Sequence, residues 1–203
     1  ETMNNSLTKS DYYKNLTTYK EENLVPIMNP LSSDLNVMRQ TLLFNGLEVI
    51  AYNINRQSNY LKIYELGNVY SYNPVEENPA SNLKSYNEEM RLSIFMSGNS
   101  PKNWCGNCVQ SNFFLLKGYL ELLLKRFGIN PYNLESKCAP TDLFSEGVEY
   151  LFNGKTLAVM GTISPKLAKR FGIKQSVYGA EIYFQPLFKL IKKNSVKYQA
   201  LPK

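Results

Sequence analysis

The stretch Asn29-Pro30-Leu31-Ser32, Val37-Met38-Arg39, Leu42-Leu43, Gly46-Leu47, Ala51-Tyr52-Asn53, Asn55-Arg56-Gln57 and Glu65-Leu66-Gly67-Asn68-Val69-Tyr70 decides how this chain is read. Pro30 and the Ser32-Ser33-Asp34 cluster favour a turn at its start. Leu43, Leu47, Ile50, Ala51 and Ile54 then recur at helical spacing while Glu48, Asn53 and Asn55 face away, so the spacing predicts a helix with one apolar stripe. Such a stripe is core or interface. After the polar break Arg56-Gln57-Ser58-Asn59, the run Leu61 to Leu66 has strand composition and is expected to end at Gly67.

Before this unit, Met3 to Leu7 reads as a short strand, and Ser10 as the cap of a short helix holding Tyr12, Tyr13 and Leu16. After it, Tyr72 to Glu88 carries Pro74, Pro79 and two Glu pairs and is expected to be an exposed loop. Arg91 to Met96 is a strand candidate closed by Gly98 and Pro101. Phe113, Leu116, Leu120, Leu123, Leu124 and Phe127 define a helix that Gly128 terminates. Asn153-Gly154 tolerates positive φ at both turn positions, so Val148 to Phe152 and Thr156 to Thr162 should pair as a hairpin. Ser164-Pro165 opens a short helix through Leu167 and Phe171 that Gly172 ends. Val177 to Phe184 is a strand, and a helix follows from Pro186 through Leu187, Leu190 and Ile191. Tight hairpins without strict βαβ alternation imply one α+β domain over residues 1–203, a largely antiparallel sheet flanked by helices.

Composition narrows the chemistry. A hydrophobic fraction of 43% places the chain among globular proteins. The 23 Lys and Arg against 17 Asp and Glu leave +6, a weak bias toward anionic partners, with both signs mixed along the sequence. There is no histidine, which closes off His bases, Ser-His and Cys-His pairs and His metal ligands. Three cysteines do not make a disulfide framework, and no apolar run approaches the roughly 18 residues of a membrane span. A reduced, cytoplasmic setting is expected. The start at Glu1, without an initiator Met and in strand-like sequence, suggests a piece of a longer polypeptide.

The residues quoted at the outset, continued by Phe113-Phe114-Leu115-Leu116-Lys117-Gly118, Asn153-Gly154-Lys155, Gly161-Thr162-Ile163-Ser164-Pro165 and Tyr178-Gly179-Ala180-Glu181-Ile182, resemble the catalytic-like core region of the bacterial phenylalanyl-tRNA synthetase beta subunit. One departure is that Ser164 stands where that family commonly has His, which reads as a capping substitution. The resemblance implies a core similar to class II aminoacyl-tRNA synthetases and a catalytic alpha subunit as partner in an (αβ)₂ heterotetramer. It further implies that the whole enzyme joins phenylalanine to tRNA(Phe) with ATP and Mg²⁺. Class II sites grip phosphates with arginines on two strands. The corresponding stretches here, Gly67 to Asn73 and Tyr178 to Pro186, contain none, so this chain is expected to be a scaffold that binds no cofactor itself.

The same resemblance makes Arg39, Leu43, Leu47, Ile50 and Ile54 candidates for the alpha-subunit contact, with burial in this chain's own core the other reading. Arg56 closes the helix where a cation suits the dipole, or else touches RNA or a subunit. Lys189, Lys192, Lys193 and Lys197 read as a solvated edge rather than an RNA contact. Two further functions stay open. Trp104-Cys105-Gly106-Asn107-Cys108 resembles the thioredoxin signature before a helix, which would make Cys105 the attacking thiol and Cys108 the resolving one. A zinc site would need Cys105, Cys108 and Cys138 plus a carboxylate. An autonomous RNA-binding module is the other alternative.

Overall fold

The computed structural model describes residues 1–73, 85–101, 104 and 108–191. Among these, three two-residue strands, β1 (Leu7–Thr8), β2 (Val25–Pro26) and β3 (Val37–Met38), form a small antiparallel sheet in the order β1-β3-β2. There follow α1 (Leu43–Ile54), β4 (Leu61–Tyr72), β5 (Tyr86–Ser97), α2 (Phe113–Arg126), β6 (Glu135–Cys138), β7 (Phe144–Phe152), β8 (Lys155–Ile163), α3 (Pro165–Arg170), β9 (Val177–Tyr183) and α4 (Phe184–Ile191). The main sheet runs β4-β5-β9-β8-β7-β6, and every pairing is antiparallel. The α+β class is as expected.

The period of two along β5 divides the protein into two cores. Phe95 faces one way, joining Leu43, Leu47 and Ile50 of α1 with Leu61, Ile163 and Val177. Met96 faces the other way, joining Leu116, Leu120 and Leu124 of α2 and Leu187 and Leu190 of α4 with Met160, Ala180 and Ile182. The stripe on α1 is therefore spent inside this chain. Leu43, Leu47 and Ile50 are fully buried and leave no surface for a subunit, while Ala51 and Ile54 pack against the same cluster but stay only partly buried. The expected contact at Leu43, Leu47 and Ile50 is corrected accordingly, whereas Ile54 keeps part of its surface, because periodicity reports an apolar face and not what covers it.

Other boundaries moved for local reasons. The strand after Arg56 does not stop at Gly67 but continues to Tyr72, paired throughout with β5. Tyr86 to Glu88 belong to β5 rather than to a loop, while residues 74–84, with Pro74 and Pro79, lie outside the described residues. The Met3 to Leu7 strand shrinks to Leu7–Thr8, and the helix at Ser10 is a single 3-10 turn that buries Tyr13. The last helix begins at Phe184, ahead of Pro186. The Asn153-Gly154 turn forms with φ of 49° and 72°, and Gly128 takes φ 74° after α2. Ser164 precedes α3 but its side chain makes no capping bond.

Gly46 sets how closely α1 approaches the sheet. A Cβ there would lie 2.1 Å from Cε2 of Phe95, a ring that is fully buried and cannot swing aside. Alanine is the better helix former by about 1 kcal/mol, but overpacking of this kind costs about 1–3 kcal/mol. Gly46→Ala should lower the thermal midpoint by several degrees, and Phe95→Leu in the same chain should restore part of it. A midpoint raised by Gly46→Ala in a circular-dichroism melt would show that the helix is not held this close.

Candidate functional site

The face of the sheet under α1 changes character at its β4 end. Glu65 is opposite Ser93, and Ser93 is opposite Glu181, so two carboxylates flank a serine across three strands. One row along, Gly67, Arg91 and Tyr183 stand side by side. Glu65, Ser93, Arg91 and Glu181 are all buried. Buried carboxylates need cations and donors, and the segment leading into α1 supplies them.

Arg39 Nη1 donates to Glu65 Oε1 at 2.7 Å and its Nε to the Asn68 carbonyl at 2.9 Å. Its backbone bridges Ser6 and Tyr70. Gly67 makes this possible, since a Cβ there would lie 2.2 Å from Arg39 Nη2. Asn4 Nδ2 donates to the second oxygen of Glu65 at 2.6 Å. Glu181 Oε1 accepts from Thr41 Oγ1 at 2.9 Å and from the Leu42 amide at 2.8 Å, so the entry to α1 is hung on β9. Arg91 Nη1 reaches Glu181, Tyr19 Oη and the Gln40 carbonyl at 3.3, 3.2 and 3.3 Å, and Nη2 reaches Glu89 at 3.1 Å. The guanidinium also lies 4.3 Å from the centroid of the Tyr183 ring.

Burial disfavours the Arg91 charge, but the oxygens of Tyr19, Glu181, Tyr183 and Glu89 reverse that and hold the group above its ordinary value. Burial, with Glu181 beside it, pushes the Tyr19 phenol well up, so it serves as a neutral hydroxyl. Arg91 Nε and Ser93 Oγ find no hydrogen-bond partner among the described residues. This face also holds a cavity of about 190 Å³ lined by Tyr19, Leu43, Leu143, Glu149, Glu181 and Tyr183.

Sequence reasoning placed Arg39 correctly beside α1, but not in a buried ion pair. It missed Arg91, Glu65, Glu181 and Tyr19. The available signal was an acid in the inward phase of two apolar strands, Ile63-Tyr64-Glu65 and Ala180-Glu181-Ile182, each of which calls for a buried cation. The expectation that this place lacks arginine is corrected: none comes from the two strands compared, but Arg39 and Arg91 arrive from the preceding segment and from β5 between them. Arg56 stacks its guanidinium 3.4 Å from the Tyr52 ring and bonds the Tyr52 carbonyl at the end of α1.

The redox motif finds no thioredoxin-like setting. Cys105 lies outside the described residues, as do Lys192, Lys193 and Lys197. Cys108 is exposed, its thiol on the Ser100 carbonyl, and α2 is capped instead by Asn112, whose Oδ1 accepts from the Leu115 amide at 2.8 Å. With every strand pair antiparallel there is no βαβ unit among the described residues. Cys138 is on β6, at the opposite edge of the sheet from β4. Among the described residues no group of three or more Cys, Asp or Glu could hold a metal ion, and no helix is long and apolar enough to cross a membrane.

Comparison with solved structures shows a synthetase-like fold: pyrrolysyl-tRNA synthetase from Desulfitobacterium hafniense superimposes with a TM-score of 0.66 over 95% of this chain and 63% of that one, at 12% identity. The model of the family described as the phenylalanyl tRNA synthetase beta chain CLM domain matches residues 1–184, and the chain belongs to that family. It is 39% identical to the phenylalanine–tRNA ligase beta subunit of Bacteroides thetaiotaomicron and 37% identical to that of Porphyromonas gingivalis, each over its whole length. It spans 25% of the length of these relatives.

Removing one member of a buried ion pair leaves the other charge stranded, at about 3–5 kcal/mol. Glu65→Gln should therefore lower unfolding free energy by roughly that amount in a urea titration. Arg39→Met combined with Glu65→Leu should cost clearly less. Equal costs for the single and the double change would mean that the pair does not hold the Arg39 segment on the sheet.

Proposed function

We propose that this domain is a non-catalytic scaffold of the phenylalanine–tRNA ligase beta subunit, assembled with the catalytic alpha subunit of an (αβ)₂ enzyme and placed beside tRNA(Phe). The whole enzyme would join phenylalanine to tRNA with ATP and Mg²⁺ in the cytoplasm, and this domain would hold neither cofactor. The observation that carries the reading is the filled sheet face across β4, β5 and β9, which include the strands that correspond to the phosphate-gripping strands of a class II core. Arg39 and Arg91 are matched there by Glu65, Glu89 and Glu181, which leaves neither guanidinium spare for a triphosphate. The cavity beside Glu181, about 190 Å³, falls short of the roughly 300–1,000 Å³ of small-molecule sites.

The other sheet face supports the assembly half of the proposal. Helices α2 and α4 cover β8, β9 and part of β5, but β4 and the start of β5 are left bare: Tyr64 and Leu66 on β4 stay 45% and 49% exposed, and Met90 on β5 43%. Beside them, Tyr64 with Leu92, Ile94, Met96, Tyr119 and Leu123 lines an open apolar groove of about 430 Å³ between β4, β5 and α2. Strands lie about 4.8 Å apart and helices pack about 10 Å apart, so the bare strip has room for one more helix. A beta chain implies a companion chain, and we assign the strip to a helix of the alpha subunit.

Two measurements check this. Leu66→Asp with Met90→Asp should cut recovery of a co-expressed alpha subunit at least tenfold while leaving the melting midpoint of the chain nearly unchanged, because both side chains are exposed. Undiminished recovery would reject the assignment. So would preserved recovery with an unstable full-length beta subunit, which would mean that the strip is covered by the beta chain itself. The chain alone should support no phenylalanine-dependent exchange of pyrophosphate into ATP, and millimolar MgATP should not raise its melting midpoint, since only a bound ligand stabilises.

A further inference from the structure

We infer that α3 and the turn after it form a contact surface for an RNA phosphate backbone, a role that rests on the domain working beside tRNA and names where the two meet. From Tyr150 to Ala180 the sequence contains Lys155, Lys166, Lys169, Arg170 and Lys174 and no acidic residue. The fold gathers four of these five into one ridge. Lys166, Lys169, Arg170 and Lys174 are all exposed, and none makes an ion pair among the described residues, whereas Lys9, Lys14, Lys20 and Lys117 each do.

The ridge stands between two open grooves. On one side, Lys14, Lys166 and Arg170 line a groove of about 1010 Å³. On the other, Lys169 and Lys174 line one of about 440 Å³ that contains no carboxylate. The first groove holds two acids, and both are engaged. Asp11 is paired with Lys14. Asp142 accepts from the amides and hydroxyls of Thr17 and Thr18. Burial pushes its carboxyl up, but those hydrogen bonds outweigh burial and hold it below the usual carboxylate value. Arg170 donates to the Asp11 and Tyr12 carbonyls, which fixes its position without cancelling its charge.

The partner's class follows from what the surface lacks. A protein interface needs an apolar centre from which water is excluded, and among the described residues no large hydrophobic side chain stands exposed between Tyr132 and Phe188. A phosphate backbone needs only spaced cations and a groove that admits it. Lysines on both flanks of a narrow ridge suit a strand of phosphates that crosses it. The apolar strip at β4 is a separate surface on another element.

The test is fluorescence anisotropy of the 203-residue chain with a fluorescein-labelled RNA hairpin between 50 and 200 mM salt. Replacing Lys166, Lys169 and Lys174 together by Glu should weaken binding at least tenfold at 50 mM. Replacing them by Gln should lower the log-log salt slope by roughly 0.9 for each contact removed, and this variant decides the matter if the Glu variant melts early. Lys125→Glu with Arg126→Glu, at the end of α2, should bind like the parent. The inference is overturned by any of three results: an unchanged slope in the Gln variant, an equal loss in the α2 variant, or an acidic peptide of matched charge that competes as well as the RNA. Alpha-subunit recovery is read on the same proteins, so failure of the assembly proposal shows there while the salt slope reports on α3 alone.

Discussion

Glu65 and Glu181 stand on the inner face of one sheet with Ser93 between them, and burying a carboxylate there is costly unless a cation is brought to it. The two guanidiniums that do this come from different parts of the chain. Arg91 belongs to the middle strand, while Arg39 belongs to the segment that enters α1. Closing the network therefore requires β4, β5, β9 and that segment to be in place together, and the Leu42 amide on Glu181 fixes where α1 begins. Buried pairs of this kind add little net stability compared with apolar replacements, but they penalise every arrangement that leaves one charge alone. In this protein that penalty selects one register for the segment over the sheet.

The glycines follow from the same constraint. Gly67 is the only residue type that leaves Arg39 room beside β4, and Gly46 lets α1 lie down on Phe95 once Leu42 has been anchored. A side chain at either place would lift the segment or the helix off the sheet and open the face that the ion pairs close. The result is an asymmetric sheet. One face is sealed by polar contacts and α1, and the other is covered by α2 and α4 as far as β5 but left bare at β4.

Much of this was legible in the sequence where the signal is local. The bounds of α1, the Asn153-Gly154 hairpin and the capping of α2 by Gly128 are each set by residues within a few positions of one another. So was the family, because the Asn29 to Tyr70 pattern has no simple compositional origin. The misses are long-range. The strands β1, β2 and β3 exist only as two-residue pairings between distant segments, and β6 is exposed along its whole length, so neither shows an alternation to read. Gly67 looked like a strand end because its actual reason, the Arg39 side chain, arrives from another segment. The apolar stripe of α1 was visible, but whether this chain or another covered it depended on the sheet.

Arginines missing from two strands do not by themselves decide whether a nucleotide can bind. A nucleotide site needs positive charge that is free, and that quantity depends on the acids as much as on the bases. Here two guanidiniums meet Glu65, Glu89 and Glu181. A phosphate entering this face would have to displace a carboxylate already in place, and it would meet the Arg39 to Leu42 segment before reaching either cation. Adding an arginine to β4 or β9 would therefore not create a triphosphate site. The sheet would first have to lose its acids, and losing them would release the segment that now fills the space. Occupation of the face and neutralisation of its cations are one device, and the surfaces left open, the bare strand at β4 and the basic ridge of α3, lie away from it.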